Sequence, residues 1–238
     1  MPSIERGLQA DWPNGANDRV ELAVIFAVAA AALLGSPARG VAEDSFDARM
    51  GHAADFVHQQ LSRSTLTVAT TAYPQSTNAT GTWNTTAASA WTSGFFPGTL
   101  WLAHQQSADH AWDSLAEAWQ AGIESQKSNT STHDVGFMIL GSFGNAYRLT
   151  GNDAYRQVVL QAAASLATRY SSLVGCIRSW DSSSEFRVII DNMMNLELLF
   201  WASKNGGDPV WYDMAVSHAL KTAVNHLRAD GSTYHVVD

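Results

Sequence analysis

Of the 238 residues, one is cysteine, six are proline and only 15% carry a charged side chain. The single cysteine, Cys176, excludes an intrachain disulfide, and its expected role is a buried structural thiol rather than a nucleophile. Fourteen Lys and Arg against 22 Asp and Glu leave a net charge of −8, and no basic run occurs. That excludes a nucleic-acid surface, which needs a basic patch to neutralise phosphates. GxGxxG, P-loop and HExxH patterns are absent, so neither a cofactor nor a metal is expected. His104, His110, His218 and His226 read as surface or capping residues. The longest apolar run, Leu22–Leu34 (LAVIFAVAAAALL), has 13 residues, too few to span a bilayer.

That run has another use. It follows Arg19 and precedes GSPARGVA, whose Gly40 and Ala42 are small. A basic flank, a short apolar stretch and a small-residue cleavage site make a secretory signal, with a buried core helix as the alternative. The expected organisation is a signal region over residues 1–42 and one domain over 43–238, secreted or periplasmic, with no membrane span in the mature chain. Hydrophobic residues make up 46% of the chain, enough for a core.

The domain reads as all-α. Helices are expected at Phe46–Leu61, Phe95–Gln106, Trp112–Gln126, Val135–Leu149, Tyr155–Tyr170, Met193–Ser203 and Tyr212–Arg228, with residues 63–94 as a polar loop. Three similar turns, QSADHAW (106–112), TGNDAYR (150–156) and NGGDPVWYD (205–213), each join an apolar helix to an Ala-rich amphipathic one. Gly151 and Gly206–Gly207 suit helix ends, and Asp153 and Asp208 suit the following N-caps. A helix that is apolar all round is buried, and one with a polar face lies outside. Inner helix, short turn and outer helix, repeated, is the pattern of a helical-hairpin toroid. Trp101, Trp112, Trp119, Trp201 and Trp211 fall on helix faces and are assigned to the core.

Two acids break the apolar pattern. Asp134 heads HDVGFMILG (133–141), and Asp191 lies in IIDNMMNLELLFWAS (189–203). Charged side chains are rarely buried unpaired, so packing alone does not explain them. Ser93, Asp134 and Asp191 stand 16, 19 and 17 residues before Asp109, Asp153 and Asp208 (109 − 93, 153 − 134, 208 − 191), which puts all three on one rim at inner-helix N-termini. An N-cap role is the bland alternative for each aspartate. A pair of carboxyl groups on one rim suits acid–base chemistry, often on sugars. Ile189, Ile190, Met193 and Met194 are expected to shield Asp191 from water.

WTSGFFPGTLWLA (91–103), HDVGFM (133–138), IRSWD (177–181), IIDNMMNLELLFWAS (189–203) and YHVVD (234–238) resemble, in order, the unsaturated glucuronyl hydrolases of glycoside hydrolase family 88. The resemblance implies an (α/α)6 barrel, of which seven of twelve helices are expected here, and hence a C-terminally truncated part of a longer chain. It implies a substrate, too: oligosaccharides left by polysaccharide lyases, with a 4,5-unsaturated uronic acid at the non-reducing end. By the same resemblance Asp191 is the principal acid/base and Asp134 its partner, while Trp91, His133, Trp180 and His235 line the sugar subsite. The implied route protonates C4 of the vinyl ether and adds water at C5, so the hemiketal opens and releases the rest of the sugar. An unsaturated rhamnogalacturonyl hydrolase and a non-catalytic sugar-binding or scaffold module are the alternatives.

Overall fold

The computed structural model describes residues 45–181 and 184–238. The apolar run at 22–34 and the expected signal boundary lie outside the described residues. Of the described residues, 45–62 belong to one unit and those from 63 to 238 to another. Helix α1 (Phe46–Thr67) runs through the division. In the first unit Met50 packs on buried Ala53 and Ala54. The helix continues six residues past the expected end at Leu61. Its late Ser and Thr residues satisfy their hydroxyls within the helix: Ser62 Oγ donates to the His58 carbonyl and Thr67 Oγ1 to that of Arg63.

In the second unit the expected loop at 63–94 holds an antiparallel hairpin, β1 (Tyr73–Thr77) with β2 (Trp83–Thr86). Asn78 Oδ1 ties its turn by accepting from the amides of Thr80 and Thr82. Tyr73 is wholly buried, and its hydroxyl donates to the Trp119 carbonyl at 3.0 Å. Burial pushes that phenol up to about 12.

Three inner–outer helix pairs follow, as the repeated turns predict. The first is α2 (Phe95–Ser107) with α3 (His110–Gln120), the latter capped by Asp109 Oδ1 on the Ala111 amide. A 3-10 segment, Ala121–Ser128, extends α3. The second pair opens on nine residues of π-helix, Gly136–Gly144, which pass into α4 (Asn145–Thr150). Gly151, at φ +67°, ends α4, and Asn152 rather than Asp153 caps α5 (Asp153–Ala167). Asp153 instead pairs with Arg156. The third pair is α6 (Asn192–Lys204) with α7 (Val210–Asn225), where Asp208 Oδ1 accepts from the Val210 amide. Two-residue bridges join β3 (Tyr170–Ser171) to β4 (Cys176–Ile177) and β5 (Val188–Ile189) to β6 (Val236–Val237). These short strands leave the fold all-α.

Glycine sets the spacing of the inner helices. A Cβ on Gly94 would strike the carbonyl oxygens of Phe137 and Met138, and one on Gly98 that of Gly141. On the other flank, a Cβ on Gly136 would come within 2.9 Å of the Asn195 Cα. The middle inner helix is thus gripped by backbone on both sides, and any larger side chain forces it outward. Leu100, Trp101, Trp119, Met138, Ile139, Leu166, Ile177, Leu196, Leu198 and Leu199 form the surrounding core. Trp112 joins them, whereas Trp201 and Trp211 are only half-buried. Cys176 is buried as expected, and burial raises its thiol. His218 and His226 are interior residues rather than surface ones. His218 Nδ1 accepts from the Ile177 amide at 2.9 Å, and His226 Nδ1 meets the Tyr234 carbonyl at 3.0 Å. Among the described residues no helix is long and apolar enough to cross a membrane.

Candidate active site

Asp134 and Asp191 come to the N-terminal ends of adjacent inner helices and meet on one histidine. His133 Nε2 lies 3.2 Å from Asp134 Oδ1 and 3.3 Å from Asp191 Oδ1. Neither acid spends its side chain on capping: Asp191 occupies the N-cap position of α6 without a cap hydrogen bond, and none is made at the head of the π segment. The bland explanation for both acids therefore fails. Asp134 Oδ2 instead accepts from Thr132 Oγ1 at 2.7 Å, and the same oxygen of Thr132 accepts from the Asp134 amide. Asp191 has 38% of its side chain exposed against 17% for Asp134, so Asp191 is the more open to an arriving molecule.

The scaffold behind them is built from the loop before the π segment and the stretch before α6. Arg169 is buried and donates to the carbonyls of Thr130 (2.6 Å) and Arg178 (2.8 Å), with a two-pronged pair to Asp181 at 3.0 Å. The Arg169 guanidinium holds the Asp181 carboxyl below the usual carboxylate range. One arginine thus ties residue 130 to residues 178 and 181. Ser179, fully buried, sits between them: its hydroxyl accepts from the Ile189 amide, and its carbonyl faces His133 Nδ1 at 2.9 Å. Asn192 donates to the Ile177 carbonyl, and Asn195 Oδ1 accepts from the Phe137 amide at 2.9 Å, pinning α6 to the π segment.

Burial works against a charged His133, but the Asp191 hydrogen bond and the Asp134 charge outweigh it, and the imidazole titrates above its ordinary value. The donor atoms of His133, Asp134 and Asp191 all lie within 4.8 Å of one another, as do those of His104, His110 and Asp113. Such spacing is short enough to share a cation. In the first set a proton on Nε2 makes the hydrogen bond to Asp191, with the Asp134 charge beside it.

The other expected site residues are placed as follows. Trp91 is half-exposed and packs with Phe95 and Phe137 at ring separations of 5.6–5.9 Å in the trio. Trp180 is half-buried beside Ser179. His235 is exposed, and its carbonyl accepts from the amide of Ile190, the neighbour of Asp191. His133 is 1% exposed. Ser93 does not join the acids: it is buried and bonds the Ala88 carbonyl. Met193 and Met194 face outward, at 37% and 64% exposure, and do not shield Asp191. Ser179, Thr132 and Arg169 were not singled out from sequence; the flanks of Asp134 and the IRSWD stretch are the signals that would have found them.

Inner–outer helical hairpins place the chain among helical-toroid folds, and in sequence and fold it is similar to glycoside hydrolases of that architecture. More particularly it is a relative of the unsaturated glucuronyl hydrolases. It is 45% identical to such an enzyme of Formosa agariphila over 152 residues, 62% of this chain and 38% of that protein. It is 34% identical to an unsaturated chondroitin disaccharide hydrolase of Streptococcus pneumoniae over 151 residues, 61% of this chain and 38% of that protein. The crystal structure of an unsaturated glucuronyl hydrolase specific for heparin matches with a TM-score of 0.75 at 41% identity, covering 78% of this chain and 50% of that one. The matches thus span half or less of these relatives' own length. No family model matches the chain.

Proposed function

We propose that the protein releases a 4,5-unsaturated uronic acid from the non-reducing end of lyase-generated oligosaccharides, by hydrating the sugar's vinyl ether. The observation that carries this is the pair Asp134–Asp191, brought from two helix N-termini onto His133 with neither acid used as a cap. Asp191, the more exposed, delivers a proton to C4; water then adds at C5 as Asp191 takes a proton back, and the hemiketal opens. Asp134 is its partner. Trp91, Trp180 and His235 lie near the same rim in sequence or contact and supply the ring-packing and polar surfaces of a sugar subsite. The similarity to glucuronyl and chondroitin disaccharide hydrolases supports this substrate class. Export through the 22–34 run fits a substrate made outside the cytoplasm.

Unsaturated disaccharides made by lyases from heparin and from chondroitin are the probes. Loss of the ring double bond is followed by ultraviolet absorbance. Turnover of these with no cleavage of the saturated glucuronides is the expected result. Cleavage of saturated glucuronides with the unsaturated sugars left intact would overturn the vinyl-ether route.

A further inference from the structure

We propose that His133 is a positioning residue: a proton on its Nε2 holds Asp191 beside Asp134, and its ring does not touch the sugar. This rests on the assignment of Asp134 and Asp191 as the acid pair, and departs from the subsite role that the family resemblance gives His133. The ring is 1% exposed, so no face is left for a ligand. Both nitrogens are committed. The Ser179 carbonyl can only accept, so Nδ1 carries a hydrogen and donates it at 2.9 Å. That carbonyl cannot drift, because the Ser179 amide donates to the Arg187 carbonyl at 2.8 Å and its hydroxyl takes the Ile189 amide at 2.9 Å.

The ring plane is thereby fixed, and Nε2 bonds Asp191 Oδ1 at 3.3 Å with Asp134 Oδ1 at ion-pair distance, 3.2 Å. A bare nitrogen there would face two acceptors; a proton on it hydrogen-bonds Asp191 and faces the Asp134 charge. The charged or titratable groups around the ring are Asp134, Asp191 and, from α7, His218, which burial keeps neutral. Asp134 is held independently through Thr132, so the clamp chiefly fixes the more exposed Asp191.

Two substitutions separate the two nitrogens. His133→Gln puts an amide N–H where Nε2 stood and keeps the clamp; His133→Asn puts one where Nδ1 stood and keeps only the anchor on Ser179. The expected result on unsaturated disaccharides is a fall in kcat of about 10²-fold for His133→Asn, as for a displaced catalytic group, with KM nearly unchanged and a partial rescue in His133→Gln. A rise in KM at constant kcat in both variants would mark a sugar contact and overturn the proposal. A second measurement needs no turnover: nuclear magnetic resonance of the His133 ring nitrogens in the wild-type, Asp134→Asn and Asp191→Asn proteins. Each acid-to-amide change should move the imidazole titration to lower pH; an unmoved titration in both removes the clamp. A wild-type protein inert toward unsaturated disaccharides would count against the function alone, and the ring titration would still decide the role of His133.

Discussion

Two clusters in this molecule use the same residue types at the same spacing and have opposite characters. His133, Asp134 and Asp191 form one; His104, His110 and Asp113 form the other, and in each the donor atoms lie within 4.8 Å. The second is local and wet. His110 meets Asp113 three residues on at 2.7 Å, with 86% of the histidine side chain exposed, and His104 Nδ1 meets the Asp109 carbonyl at 3.1 Å and stands 3.9 Å from Asp113. The first joins residues 58 apart in sequence around a histidine that is 1% exposed. Water screens an exposed pair and leaves it worth little, whereas a dry, anchored pair keeps its geometry and its charge coupling. Proximity alone does not set the two clusters apart; burial and a fixed second nitrogen do.

The comparison breaks hardest at Asp191. Asp191→Asn should lower turnover of unsaturated disaccharides by about 10²–10⁴-fold or more, because an amide cannot give or take the proton, while the melting transition stays cooperative. Near-normal rates in that variant would reduce the first cluster to the standing of the second. A smaller effect tests burial without carboxylates. His218 is buried with no acid beside it, and burial depresses its titration to about 4. Its unfolded form binds the proton more readily, so stability is full above about pH 6.5 and falls as the pH drops toward 4. His133, raised, has the opposite sign: its contribution is present below about pH 6.5 and is lost as the pH rises through its folded value. In urea melts the His218 term should cost about 2 kcal/mol between pH 7 and pH 5. His218→Asn retains an acceptor for the Ile177 amide and should flatten that dependence; an unchanged slope would show that His218 is not the sensor. The smallest effect belongs to the exposed cluster. His110→Ala should leave the denaturation midpoint and the reaction rate unchanged, within about 0.5 kcal/mol, and a larger loss would mean that this turn is more than a solvated ion pair.

The parts of the fold that were legible in sequence are those set by local chemistry. The three similar turns, with Gly151 in the left-handed region and Asp208 capping the third outer helix, announce the three hairpins within a few residues of their observed ends. Aligning those turns was enough to bring Asp134 and Asp191 to one rim. What stayed hidden depends on distant partners. The β1–β2 hairpin is rich in Thr, Ser and Asn and reads as loop; it is held by Tyr73 reaching Trp119, 46 residues on. His133 bonds a carbonyl 46 residues away, and His218 an amide 41 residues away, so neither spacing could reveal their burial. The apolar stretch after Asp134 announces a buried helix but neither its π winding nor its close approach to Gly94 and Gly98 on another element.

That winding has a consequence for direction. Nine α-helical residues turn through about two and a half revolutions. The wider π coil of Gly136–Gly144 completes only about two. The difference is near half a revolution between the two ends of one inner helix. Tyr147 at the far end packs edge-on against Trp201 and fixes the azimuth there. An ordinary helix of the same length would turn the end that carries Asp134 by near half a revolution relative to Tyr147. The segment works as a phase shifter, converting a change in residues per turn into the compass bearing of a carboxylate.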